Sequence, residues 1–78
     1  MVKVYSMTSC PWCVKAKKYL ESKGIEYQNL NIEEDEAARV ACQQLSGDLM
    51  VPVITANDKD YALGFDKAKI DALLGIAG

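Results

Sequence analysis

The sequence predicts an α/β fold of element order βαβαββα, a four-stranded mixed sheet with helices on both faces. Three observations lead there. Short alternating runs of β-formers take turns with segments of helical apolar spacing. Helix start and stop residues fall at the joins between them. The opening strand–helix–strand unit favours a parallel pair with a right-handed crossover, and the last two strands are close enough for an antiparallel hairpin.

Each element has its own warrant. Val2 to Tyr5 alternates and reads as the first strand. Pro11 to Lys23 reads as a helix, with Cys13, Ala16 and Leu20 on one face and Lys15, Lys18 and Glu21 outside it. Pro11 suits a first helical position, and Gly24 suits the left-handed stop. Ile25 to Ile32 reads as the second strand, diluted by Asn29 and Asn31. Glu33, Glu34 and Asp35 place negative charge at the start of a second helix running to about Leu45 and stopping at Gly47. Its apolar stripe is Ala38, Ala41, Cys42 and Leu45. Val51 to Thr55 is the third strand, opened by Pro52. Asn57 to Asp60 is a turn, and Tyr61 to Leu63 is the fourth strand. Asp66 caps a last helix with Ile70, Leu73 and Leu74 inward and Gly75 at its end.

Composition narrows the function. The 78 residues form one domain over 1–78, too short for an eight-stranded α/β barrel or a full dinucleotide-binding fold. Half the residues are apolar and 26% are charged, unlike a disordered tail or a membrane span. Histidine is absent, which excludes Ser-His-Asp chemistry, Cys-His chemistry and imidazole-bound zinc. A net charge of −2 argues against nucleic acid as a partner. The opening Met-Val-Lys-Val-Tyr-Ser has no signal-peptide pattern, so the expected location is the cytoplasm, where thiols stay reduced. Residues 1–24 carry five lysines against one glutamate, while the rest carry four basic and ten acidic side chains. That basic end holds two of the three cysteines; the plain reading is a solvated lysine face.

The chemistry concentrates at Cys10-Pro11-Trp12-Cys13, where the first strand hands over to the first helix. With Pro11 as first helical residue, Cys10 is the N-cap. Its sulfur faces the free amides of Trp12 and Cys13 and the positive end of the helix dipole. A thiolate there is favoured, with a pKa below the free-cysteine value of about 8.5. Cys13 lies one turn in, on the inward face, close enough to close a disulfide with Cys10. The implied cycle is attack of Cys10 on a target disulfide, then attack of Cys13 on Cys10. The competing readings are half a metal site and two packed thiols without chemistry. Four-ligand zinc would need two more soft ligands, and only Cys42 remains, on an apolar stripe where cysteine behaves as a small hydrophobe. Trp12 is expected exposed at the mouth of the dithiol, and Phe65 is expected as core or hairpin cover. The acidic run Glu33–Glu36 lacks the spaced loop and central glycine of a calcium site.

Tyr5 through Cys13, Val51-Pro52 and Gly64-Phe65-Asp66 together resemble the glutaredoxin family of the thioredoxin fold, over nearly the whole chain. The resemblance implies a thiol–disulfide oxidoreductase with Cys10 as nucleophile and Cys13 as resolving thiol. It implies a cis Pro52 facing the dithiol, and a Val51 backbone that pairs with the substrate main chain. Pro11, Trp12, Gly64, Phe65 and Asp66 complete the substrate groove, with Trp12 where tyrosine is more usual. Gly64 and Asp66 would lie near the γ-glutamyl end of glutathione. Glutathione is then the expected co-substrate, with no tightly bound cofactor, no metal and a disulfide-containing protein as target of a monomer. Two positions depart from the pattern. Met7 stands where glutathione-using members carry lysine, and Asp48 stands in a stretch that is often basic; Arg39 is a possible substitute cation. Gly64-Phe65-Asp66 also resembles the redoxins that serve ribonucleotide reductase and take electrons from thioredoxin reductase. A metal or iron–sulfur module built on the same cysteine pair is the non-enzyme alternative.

Overall fold

The computed structural model describes residues 1–76. Seven elements follow in order: β1 (Val2–Ser6), α1 (Pro11–Ser22), β2 (Tyr27–Asn31), α2 (Glu36–Ser46), β3 (Val53–Thr55), β4 (Tyr61–Leu63) and α3 (Lys67–Leu74). They build one four-stranded sheet of order β2-β1-β3-β4. β1 runs parallel to β2, pairing Val2 with Tyr27 through Ser6 with Asn31. It runs antiparallel to β3, pairing Val4 with Ile54 and Tyr5 with Val53. β3 and β4 form the hairpin.

Alternation along β1 divides the interior in two. Val4 joins Ile54, Ala62, Ala16 and Leu20 of α1 and Ile70 of α3 on one face. Tyr5 joins Val53, Ile32, and Ala38 and Cys42 of α2 on the other. Side chains on successive strand residues point to opposite faces, so one short strand serves both cores. Leu73 and Leu74 are half-buried at the rim of the first core; Ala41 and Leu45 flank the second.

Several boundaries differ from the sequence reading, each for a local reason. Ile25 and Glu26 are not strand. Gly24 takes φ +69°, its N–H bonds the Glu21 carbonyl, and the Ile25 N–H bonds the Leu20 carbonyl at 3.0 Å. That is a Schellman stop, and Ile25 supplies its apolar contact against the first core. The third strand begins at Val53, not Val51, since Pro52 has no N–H for a ladder. The first helix ends at Ser22, with Lys23 as its cap. Of the acidic run, only Asp35 and Glu36 serve α2. Asp35 is the N-cap, its Oδ1 accepting from the Ala38 N–H, and Glu36 lies in the first turn. Glu33 and Glu34 lie in the turn before it.

Two measurements check this account. Leu20 is fully buried, so Leu20→Ala is expected to cost about 2–5 kcal/mol in urea denaturation, while Gln28→Ala on the exposed edge strand stays within about 0.5 kcal/mol. Burial and the Glu21 carboxylate hold the Tyr27 phenol in its neutral form and push its pKa up to about 12. The unfolded chain therefore ionises this phenol first. Its contribution is complete below pH ~10 and is lost as pH rises through about 12. Tyr27→Phe should make stability fall less steeply over that window.

Candidate active site

β1 ends at Ser6 and α1 begins at Pro11, so the cysteine pair sits at the strand-to-helix handover. Tethers to β2 and the turn after it fix the intervening loop. The Thr8 N–H donates to Glu33 Oε1 at 2.7 Å, and Asn31 Nδ2 donates to Thr8 Oγ1 at 3.1 Å. Ser6 Oγ, almost fully buried, donates to Asn29 Oδ1 at 2.7 Å. The asparagines that weaken the strand pattern thus hold the segment leading to Cys10.

Cys10 is the N-cap of α1, with extended backbone, and it is joined to Cys13 by a disulfide whose Cα atoms are 5.2 Å apart. The Cys13 N–H donates to Cys10 Sγ at 3.2 Å. The expected second donor, the Trp12 N–H, is not among the amides that bond the sulfur. Pro11 holds the first helical position, where its missing N–H costs nothing. The two sulfurs differ in access: Cys13 is fully buried and Cys10 is half-buried. On reduction, the Cys13 amide and the helix dipole face Cys10, and both favour its anion.

Beside the pair lies a cavity of about 320 Å³, lined by Trp12, Met50, Val51, Pro52, Gly64 and Phe65. Three segments far apart in sequence meet here. The Val51–Pro52 peptide bond is cis. The Gly64 N–H donates to the Pro52 carbonyl at 2.8 Å, joining the end of β4 to the proline turn. Gly64 takes φ +78°, a conformation that favours glycine. Phe65 both covers the first core and lines the cavity, edge-on to Tyr19 with ring centroids 6.1 Å apart. The Tyr19 hydroxyl donates to Asp71, a hydrogen bond that raises the phenol's pKa and links α1 to α3. Trp12 is 56% exposed, with Lys15 Nζ 4.5 Å from its ring centroid.

Not every residue singled out from sequence meets the cavity. Asp66 caps α3, its Oδ1 accepting from the Lys69 N–H at 3.2 Å, and it is not part of the lining. Pro11 is exposed on the helix and likewise lies outside the lining. Met50 lines the cavity although no sequence argument named it. Its only signal is a large apolar residue between the Gly47 stop and the third strand, and it is 57% exposed. Cys42 is fully buried against Tyr5 and Val53; burial pushes its thiol pKa up. Among the described residues, no group of three or more cysteine or carboxylate side chains is placed to hold a metal ion. Nor is any helix among them long and apolar enough to cross a membrane.

A mixed sheet carrying a Cys-Pro-Trp-Cys handover beside a cis-proline turn defines a redoxin of thioredoxin-like fold. The chain belongs to the glutaredoxin family, whose model, described as Glutaredoxin, matches residues 2–61. It is 43% identical over 74 residues to an uncharacterised glutaredoxin-like 8.6 kDa protein in the rubredoxin operon of Clostridium pasteurianum, covering 95% of this chain and 97% of that one. It is 40% identical over 75 residues to glutaredoxin 3 of Escherichia coli, covering 96% of this chain and 90% of that protein. Among solved structures, the T8A mutant of the thioredoxin-like protein BC3987 superposes with a TM-score of 0.87 at 28% identity, covering 97% of this chain and 96% of that chain.

Thiol accessibility gives a direct check. The reduced protein should take up one equivalent of iodoacetamide rapidly at neutral pH, at Cys10. Cys13 and Cys42 should react at comparable rates only in denaturant. The oxidised protein should take up none until it is unfolded, and then one, at Cys42.

Proposed function

We propose that this redoxin is a two-electron thiol–disulfide carrier, with Cys10 as nucleophile and Cys13 as resolving thiol. The Cys10 thiolate attacks one sulfur of a target disulfide. The target's S–S bond breaks, a Cys10–target mixed disulfide forms, and the other target sulfur leaves as a thiolate that takes up a proton. The Cys13 thiol loses its proton and its sulfur attacks Cys10 Sγ. The mixed disulfide breaks and the second target thiol departs. One target disulfide has then gained two electrons and two protons, and the protein holds Cys10–Cys13 oxidised. The observation that carries this reading is the pairing of a half-buried Cys10 Sγ at a helix N-terminus with a fully buried Cys13, beside an open apolar groove.

Groove residues take their parts from position. Trp12, Met50, Val51, Pro52, Gly64 and Phe65 receive the target chain, and the Val51 backbone adds it as an extra strand. Asp66 starts α3 directly after Phe65, and in the glutathione reading its carboxylate lies near the γ-glutamyl end of the tripeptide. The working site is the cytoplasm, where the resting state is the dithiol.

Two donors suit the reset. Family membership supports glutathione, which would return the dithiol through a glutathione mixed disulfide. The second reading is direct reduction by a flavoprotein such as thioredoxin reductase. It is favoured by the surroundings of Met7, which shares its depression with Glu33, Glu34 and Glu36, and by Arg39, which is already 3.4 Å from Glu36. Glutathione is an anion, and each missing exposed ion pair removes about 0–1 kcal/mol of binding.

NADPH consumption with insulin as target tests the whole scheme. Cys10→Ser should abolish turnover, and full activity in that variant would overturn the proposal. Cys13→Ser should accumulate a covalent target adduct visible by mass spectrometry. Supplying glutathione with glutathione reductase in one arm, and thioredoxin reductase alone in the other, assigns the donor by which arm turns over.

A further inference from the structure

The redox site has a second flank, on the side of α2. A depression of about 490 Å³ opens there, with Met7, Ile32 and Leu49 among its lining and Glu33, Glu34, Glu36 and Arg39 around them. Two chain segments tie it to the redox site. Met7 stands three residues before Cys10, and the next residue, Thr8, is tethered to Glu33. Leu49 lines this depression while its neighbours Met50 and Val51 line the groove beside Trp12, so a short stretch of chain separates the two hollows.

The two hollows differ in charge. The groove lining contains no ionisable side chain, and Lys15 sits over the Trp12 ring at its edge. The α2 flank carries three carboxylates against one guanidinium, and Arg39 is paired locally with Glu36. Asp48 adds a fourth carboxylate beside Leu49, whose N–H it accepts at 2.7 Å. These groups are exposed, so their field reaches an incoming chain through water and is screened beyond about 8–10 Å at ordinary salt.

We infer that the site selects disulfides carried on basic polypeptide segments. This rests on the redox reading and specifies its substrate class. An apolar side chain of the target occupies the groove between Trp12 and Phe65. A lysine or arginine further along the same strand sits beside Glu34 and Glu36. Anionic disulfides are slowed by the same carboxylates. The electron balance is that of the two-step exchange above, with the peptide disulfide as oxidant and the protein dithiol as reductant.

The test uses two disulfide-closed peptides of identical apolar sequence, one with lysines beside its cysteines and one with glutamates. Each is mixed with the pre-reduced protein, and acid-quenched samples give second-order rate constants. Dithiothreitol, a neutral dithiol, supplies each peptide's intrinsic reactivity, and all rates are divided by it. After that correction the lysine peptide should react about tenfold faster at low salt, converging to within about twofold near 0.5 M salt. Replacing Glu34→Gln and Glu36→Gln together should shrink the low-salt preference severalfold. Equal corrected rates, or a preference that survives both the salt and the double variant, would overturn the inference. If insulin is reduced but the two peptides do not differ, the substrate class alone fails. If neither peptide nor insulin is reduced, the carrier reading fails with it.

Discussion

The structure depends on β1 lying inside the sheet rather than at its edge. It pairs parallel with β2 and antiparallel with β3, and its alternate side chains enter two separate cores. Five residues thereby couple every layer of the molecule. Burying a side chain of this kind contributes about 1.5–3 kcal/mol, so Val4 and Tyr5 anchor the strand from both faces. The end of that strand sets where Cys10 stands, because only four residues separate Ser6 from Pro11. A disulfide-forming pair at a helix N-terminus is useful only if that terminus is held still. The bonds from Asn29, Asn31 and Glu33 to the strand end and the loop do the holding.

Around this fixed point the surroundings are unequal. On one side, three chain segments converge on an apolar groove whose far wall, Phe65, is backed by Tyr19 and the Tyr19–Asp71 link between α1 and α3. On the other, carboxylates from the β2–α2 turn, α2 and the following loop gather around Met7 and Leu49. The basic residues lie largely on α1 and α3. Lys23 and Lys67 both sit over the Tyr19 ring, and Lys15 sits over Trp12. The charge asymmetry of the fold is therefore one of faces and not of chain ends, since α3 brings Lys67 from the acidic part of the sequence to the lysines of α1. It gives an approaching chain a direction without any added contact.

Glu33 and Glu34 show why local reading falls short. In the sequence they extend an acidic helix start, and such charge does favour a helix N-terminus. In the fold Asp35 takes the cap and Glu33 turns back to bind the Thr8 amide, a partner 25 residues away. Ile25 was legible as apolar and as a neighbour of a glycine stop. Its use as the contact that completes that stop, rather than as a strand residue, required the first core to be in place.

By itself the sequence determined the element order, the left-handed helix stops, the faces of the helices and the Cys10–Cys13 pair. These are properties of short windows, set by periodicity, by glycine at positive φ and by capping side chains. The cis state of the Val51–Pro52 bond was legible only through family resemblance, since proline alone gives a poor basis for it. The gathering of Trp12, Val51, Pro52, Gly64 and Phe65 around one groove was likewise legible only through that resemblance; tertiary structure alone added Met50 to the lining and left Asp66 out of it. It also decided that the carboxylates of residues 33–36 border Met7. The reason is physical: a cavity wall is assembled from segments brought together by sheet pairing and core burial, and no window of the chain contains the distances between them.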